Sequence, residues 1–121
     1  MNEKNLQSQI LLKVGSRSDT RLFRNNQGVA TYPDGSQVRY GICNPGGSDL
    51  IGYHSRIITP DMVGTKVAIF TAIEVKSQDG RIKPEQQKFI DTINDAGGIA
   101  TVARSVEQAE SALNVMGVIY A

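Results

Sequence analysis

The chain is 121 residues long, 40% hydrophobic and 21% charged, with a net charge of +1. That is enough for one compact domain spanning residues 1–121, and it excludes disordered, collagenous and disulfide-scaffold classes. The near-neutral charge gives no direct pointer to nucleic acid. The single cysteine, Cys43, cannot form an internal disulfide, which points to a reducing compartment, the cytoplasm. No apolar run stands behind the N-terminus as in a signal peptide, and none approaches the ~18 residues of a membrane span. The arginines gather early, at Arg17, Arg21, Arg24, Arg39 and Arg56, and the acids late, at Asp91, Asp95, Glu107 and Glu110. An ordinary solvated surface accounts for that distribution, and segregation of charge by face remains compatible with DNA binding.

In chain order, Leu6, Ile10 and Val14 recur at helical spacing, which predicts a short amphipathic helix from about Glu3 to Val14, stopped by Gly15. Extended segments follow over Arg21–Tyr32 and Gln37–Ile42. Tyr32-Pro33-Asp34-Gly35-Ser36 joins them as a turn, because proline presets φ and glycine supplies a positive one. Asn44-Pro45-Gly46-Gly47-Ser48 is a second turn. Leu50–Ile58 is the third extended run, Pro60–Gly64 turns the chain, and Lys66–Lys76 is the fourth. After the Ser77–Gly80 loop, Pro84 sits at a first-turn position of a helix whose apolar stripe is Phe89, Ile90, Ile93 and Ala96, ended by Gly97-Gly98. Ile99–Ala103 is a short buried strand. Ser105 with Gln108 forms a capping box for a last helix, with Val106, Ala109, Leu113 and Met116 on its apolar side. The expectation is an α/β domain with a mixed sheet flanked by helices, in the order α-β-β-β-α-β.

The fourth run stays apolar until Glu74, as in a central strand buried on both sides. With period two, Ala68, Phe70, Ala72, Glu74 and Lys76 share one face. Glu74 and Lys76 therefore continue a face that is apolar two residues earlier. Charges there are costly unless paired, hydrated at the strand end or bound to metal. The ordinary account is a Glu–Lys pair at a fraying strand end.

Metal-assisted phosphodiester cleavage needs clustered oxygen ligands, because hard divalent cations prefer carboxylates, carbonyls and water. Asp34, Asp49 and Asp61 precede Glu74. If Leu50–Ile58 and Lys66–Lys76 form an antiparallel hairpin turning near Pro60–Gly64, opposed residue numbers sum to roughly 124. Glu74 then faces about Leu50, and Asp49 lies within one residue of both Glu74 and Lys76. Asp61 would sit at the turn, roughly 40 Å along the strand at ~3.3 Å per residue. Asp34 is explained by its tight turn. Gln86 stands three residues before Phe89 and four before Ile90, at the start of the buried helical stripe, where an amide can reach the Glu74–Lys76 strand end. Glu3, on the face of Leu6 and Ile10, is either a further acidic group at the site or a first-turn acid favoured by the helix dipole. His54, the only histidine, reads as a surface or packed residue, and Cys43 lacks the partner of a nucleophile.

Asp49-Leu50-Ile51-Gly52, Ala72-Ile73-Glu74-Val75-Lys76-Ser77 and Gly80-Arg81-Ile82-Lys83-Pro84-Glu85-Gln86 together resemble the VRR-NUC domain. Leu22-Phe23-Arg24-Asn25-Asn26-Gln27-Gly28 and Gly97-Gly98-Ile99-Ala100-Thr101-Val102-Ala103-Arg104-Ser105 extend the resemblance over essentially the whole chain. That family is a branch of the PD-(D/E)xK nucleases, with a restriction-endonuclease-like core. Stand-alone members from bacteria and phages resemble Holliday junction resolvases and tend to be homodimers.

The resemblance implies a DNA endonuclease in which Asp49, Glu74, the Val75 backbone carbonyl and waters hold Mg²⁺ or Mn²⁺. Lys76 and Gln86 would act on the attacking water and the phosphate, and Arg24, Arg81 and Lys83 would contact DNA backbone. The motif's proline is displaced here, since Pro45 stands four residues before Asp49. The family's first-helix glutamate maps loosely onto Glu3, with Gln7 as companion. Branched DNA and a second copy of the chain are the expected partners, with interface candidates Val29, Tyr32, Val38, Tyr40, Ile42, Val118, Ile119 and Tyr120. The rival readings are a catalytically silent DNA-binding module on the same fold and a flap- or nick-type nuclease acting as a monomer.

Overall fold

The computed structural model describes residues 2–114, which form two compact units, one up to Arg56 and one from Ile57 onward. The first contains helix α1 (Glu3–Lys13) and strands β1 (Thr20–Arg24), β2 (Gly28–Thr31), β3 (Gln37–Tyr40) and β4 (Leu50–His54). The second contains a 3₁₀ turn (Pro60–Met62), strand β5 (Thr71–Val75), helix α2 (Pro84–Asp95), strand β6 (Ile99–Ala103) and helix α3 (Val106–Ala112). Antiparallel and parallel pairings both occur, as a mixed α/β fold requires, but as three two-stranded ladders in place of one continuous sheet: β1 with β4, β2 with β3, and β5 with β6.

In the first unit, the Asn2 side chain accepts the Asn5 N–H at 2.8 Å, so α1 starts on a satisfied cap. Its end at Val14 matches the expected position. Its apolar residues are not buried: Leu6 is 48% exposed. The expected Arg21–Tyr32 segment is two strands, interrupted at 25–27. Asp34 closes the β2–β3 turn as anticipated. Its Oδ1 accepts the Ser36 N–H at 2.9 Å and the Ser36 hydroxyl at 2.6 Å, and Gly35 adopts φ +90°. The β1–β4 ladder runs antiparallel from Thr20↔His54 to Arg24↔Leu50. At its first rung the Thr20 hydroxyl donates to Asp19 Oδ1 at 2.9 Å and lies 2.8 Å from His54 Nδ1. The Arg17 guanidinium, bonded to both Asp19 oxygens, holds that carboxyl well below the usual carboxylate range, with Thr20 assisting. His54 is thus a surface residue in a local network.

The second unit holds the core: Ile90 and Ile93 of α2, Ile99, Ala100 and Ala103 of β6, and Ala112 of α3. Pro84 opens α2, and Gly97, at φ +98°, ends it. Gly98 is required by close approach, since a Cβ there would stand 2.8 Å from both the Ile93 side chain and the Phe70 carbonyl. The Asn94 amide then bonds the Ala100 carbonyl and N–H, each at 2.9 Å, and sets β6 parallel to β5 from Thr71↔Ile99 to Val75↔Ala103. At α3 the Ser105 hydroxyl accepts the Gln108 N–H at 3.1 Å, while the Gln108 side chain reaches one residue further back, to the Arg104 N–H at 2.7 Å. Val106 is 69% exposed and does not join the apolar side. Met116, Val118, Ile119 and Tyr120 lie outside the described residues.

The expected hairpin between the third and fourth runs is not formed. β4 ends at His54 and β5 begins at Thr71, so sixteen residues intervene, with a 3₁₀ turn inside them. That is far beyond a tight hairpin loop, and each strand takes another partner. The register that placed Asp49 near Glu74 therefore fails. β5 is also not buried on both faces: Ile73 is 42% exposed and Val75 76%.

Ile93 is 1% exposed, the most buried large side chain of the described residues. Ile93→Ala is expected to lower stability by about 2–5 kcal/mol, read as a lower urea midpoint with an unchanged slope. A loss below ~1 kcal/mol would show that this helix–strand contact is not the core.

Candidate active site

The alternating exposure of β5 puts Ala72, Glu74 and Lys76 on one face, with Thr71, Ile73 and Val75 on the other. The same face carries the ion pair between Lys76 Nζ and Glu74 Oε1, 3.5 Å apart, with the two side chains 17% and 33% exposed. The expected pairing of these two charges is what the chain forms. The Lys76 N–H donates to the Ala103 carbonyl at 3.1 Å and keeps the strand end in register.

Gln86 reaches this strand end from the first turn of α2. Its Nε2 donates to Glu74 Oε1 at 2.6 Å, and its Oε1 accepts the Lys83 N–H at 3.0 Å. One amide thus caps its own helix and partners the carboxylate, and the capping bond dictates which end faces Glu74. Two donors, one of them cationic, compensate for placing that carboxylate in a half-buried position. Glu74, Gln86, Ala72, Phe89 and Ile90 line a cleft of about 280 Å³, and Glu85 joins them. Glu85 escaped the sequence reading because an acid in a first helical turn already has a sufficient explanation in the helix dipole.

The donor chemistry suits a hard cation. Both contacts to Glu74 fall on Oε1, leaving Oε2. In a parallel ladder the residues flanking a bridged one make its bonds, so the Val75 carbonyl points away from β6. Oxygen ligands of this kind are what Mg²⁺ or Mn²⁺ takes. Among the described residues, no group of three or more His, Cys, Asp or Glu side chains is arranged to hold a metal ion.

The remaining candidates are dispersed. Asp49 is exposed and belongs to the first unit, immediately before β4, where its carbonyl accepts the Asn25 N–H at 2.9 Å. Glu3 is exposed at the first position of α1. One turn on, Gln7 Oε1 and Ser8 Oγ accept from the Arg24 guanidinium at 3.5 and 3.2 Å, which lays Arg24 along α1. Arg81 and Lys83 are exposed in the segment leading to α2. That segment follows a loop clasped by Arg104, whose Nη1 donates to the Ser77 and Gln78 carbonyls.

Comparison with protein families places the chain among nuclease-type domains, with DNA as the implied substrate: the model described as VRR-NUC domain matches residues 3–107. The match spans both units and most of the 121 residues, and the chain belongs to the VRR-NUC domain family. No curated protein and no solved structure matches it. Among the described residues, no helix is long and apolar enough to cross a membrane.

Replacing Gln86 by alanine removes the Lys83 cap and the Glu74 partner together. Gln86→Ala is expected to cost about 1–2 kcal/mol in urea unfolding, and amide exchange at Lys83 should accelerate. Wild-type protection at Lys83 would show that the amide does not hold the helix start.

Proposed function

We propose that this chain is a Mg²⁺- or Mn²⁺-dependent DNA endonuclease with a PD-(D/E)xK-type core, working in the reducing cytoplasm of a bacterial or phage-infected cell. The observation that carries the reading is the Glu74 carboxylate held at a strand end by Lys76 and Gln86. A half-buried carboxylate with a cation and an amide fixed on one oxygen is suited to holding a metal on the other. Family membership supplies the reaction class.

In this reading Asp49, Glu74 and the Val75 carbonyl would hold the ion, and Glu3 is a further candidate ligand. The cation supplies Lewis acidity toward the scissile phosphate and the attacking water. As the ammonium that pairs with Glu74, Lys76 would orient the attacking water and balance charge developing on the phosphate; only as the neutral amine would it accept the water's proton. Gln86 keeps Glu74 in one orientation and positions water or phosphate. Arg24, Arg81 and Lys83 contact backbone phosphates. The first unit holds seven of the thirteen Lys and Arg but four of the twelve Asp and Glu, so positive charge for DNA is concentrated there.

The preferred substrate is branched DNA, and the active form is a homodimer that brings two sites to opposed strands. The exposed apolar residues of the β2–β3 hairpin, Val29, Val38 and Tyr40, support an interface in the first unit.

Glu74→Ala is expected to abolish cleavage of a four-way junction in Mg²⁺ or Mn²⁺, as EDTA does in the wild type, while junction binding in gel shift stays within about threefold. Full metal-dependent cleavage by Glu74→Ala would remove it from the site. A panel of junction, flap, single-strand and duplex substrates reads the preference. In light scattering the chain should have twice the mass of its 13.1 kDa protomer. A single-chain mass with and without DNA would leave a monomeric nick- or flap-type nuclease.

A further inference from the structure

The β5–β6 ladder ends at the Val75↔Ala103 rung, yet the two chains stay tied beyond it. The Lys76 N–H donates to the Ala103 carbonyl at 3.1 Å. One residue further on, the ties pass to Arg104. Its Nη1 donates to the Ser77 carbonyl and, at 3.4 Å, to the Gln78 carbonyl. Gln78 Nε2 donates back to the Arg104 carbonyl at 3.2 Å. Arg104 is itself held from behind, since its N–H donates to the Gln108 side chain of α3 at 2.7 Å. It is half-buried, and no carboxylate pairs with it among the described residues. Its cation is engaged with carbonyls, and a charged donor makes the stronger kind of bond to them.

This clasp holds the segment between two groups that meet at one atom. Lys76 Nζ and Gln86 Nε2 approach Glu74 Oε1 at 3.5 and 2.6 Å. They come from the two ends of a segment, 77–83, that has neither helix nor strand. Lys76 precedes it, and Lys83, whose N–H Gln86 accepts, closes it. The segment turns where the Gly80 N–H donates to the Ser77 carbonyl at 3.1 Å. The same carbonyl takes the Arg104 bond, so turn and clasp share an atom. Displacing that turn displaces a segment joined at one end to Lys76 and at the other to the start of α2.

We propose that Arg104 is a positioning residue for the Glu74–Lys76–Gln86 group, holding the 77–83 segment so that Lys76 and Gln86 converge on one carboxylate oxygen. For the reaction it rests on the reading of that group as the cleavage site. Arg104 acts through the Ser77 and Gln78 backbone.

The test is Arg104→Met, which keeps the aliphatic stem and removes the donors. The readout is the Gln86 side-chain amide signal in NMR spectra of the metal-free protein, assigned by its loss in Gln86→Ala. Glu74→Ala gives its position without the carboxylate. In Arg104→Met the signal is expected to move toward that position, which a lower melting temperature alone would not produce. Single-turnover cleavage of a four-way junction in Mg²⁺ should slow by about tenfold or more, with junction affinity within about threefold. If Arg104→Met does not fold, Gln78→Ala, at an exposed residue, removes the return bond and should move the signal the same way. An unmoved Gln86 signal in the folded variant overturns the proposal. So does weakened junction binding with a salt dependence lower by about one charge, which would make Arg104 a phosphate contact. A wild type that cleaves no DNA overturns the nuclease reading instead, and the Gln86 signal then decides by itself whether Arg104 sets the geometry.

Discussion

The Gln86 side chain joins two things that this fold must keep together, the start of α2 and the end of β5. Its oxygen accepts the Lys83 N–H, so its nitrogen must face Glu74, where it donates at 2.6 Å. Without that donor, the half-buried carboxylate would depend on Lys76 alone, at the longer distance of 3.5 Å. An incompletely satisfied carboxylate in such a position costs more than the bond itself contributes. The helix cap therefore dictates the orientation of the group most suited to hold a cation. The start of α2 and the end of β5 thus share one side chain.

The two units are built on different physics. In the second, apolar burial dominates: α2 and α3 cover β6, and Asn94 and Gly98 tune the helix-to-strand passage. In the first, none of the described residues is buried, and side-chain amides hold the loops. Asn25 closes the 42–48 loop, Gln27 donates to the Gly47 carbonyl, and Asn44 donates to the Gly28 and Tyr40 carbonyls. Such bonds specify a geometry while contributing only about 1 kcal/mol each. Bonds of this kind fix the shape of the unit more than they stabilise it.

What could be read from the sequence follows the range of each signal. β6 over Ile99–Ala103, the ends of α2 and the Asp34–Gly35 turn rest on residues within a few positions of one another, and all appear as expected. The grouping of Glu74, Lys76 and Gln86 was legible because strand and helix periods are local rules. Strand pairing is not local. The apolar runs before Thr71 and after His54 looked like strand, yet β4 pairs with a strand thirty residues earlier in sequence and β5 with one across a helix. The register that brings Asp49 to Glu74 is one the chain does not form, so the case for Asp49 rests on the resemblance of Asp49-Leu50-Ile51-Gly52 alone. No local pattern marks Asn25, because its four bonds reach residues seventeen or more positions away.

The Glu74 carboxylate and the Val75 carbonyl are proposed to hold one cation at the end of β5. Backbone amide NMR spectra recorded during a substoichiometric Mn²⁺ titration test it most directly, because the paramagnetic ion broadens only resonances near it. The amides of Glu74, Val75 and Lys76 are expected to disappear at substoichiometric Mn²⁺ and to return with EDTA. Glu74–Lys76 amides that stay sharp while others broaden would contradict it.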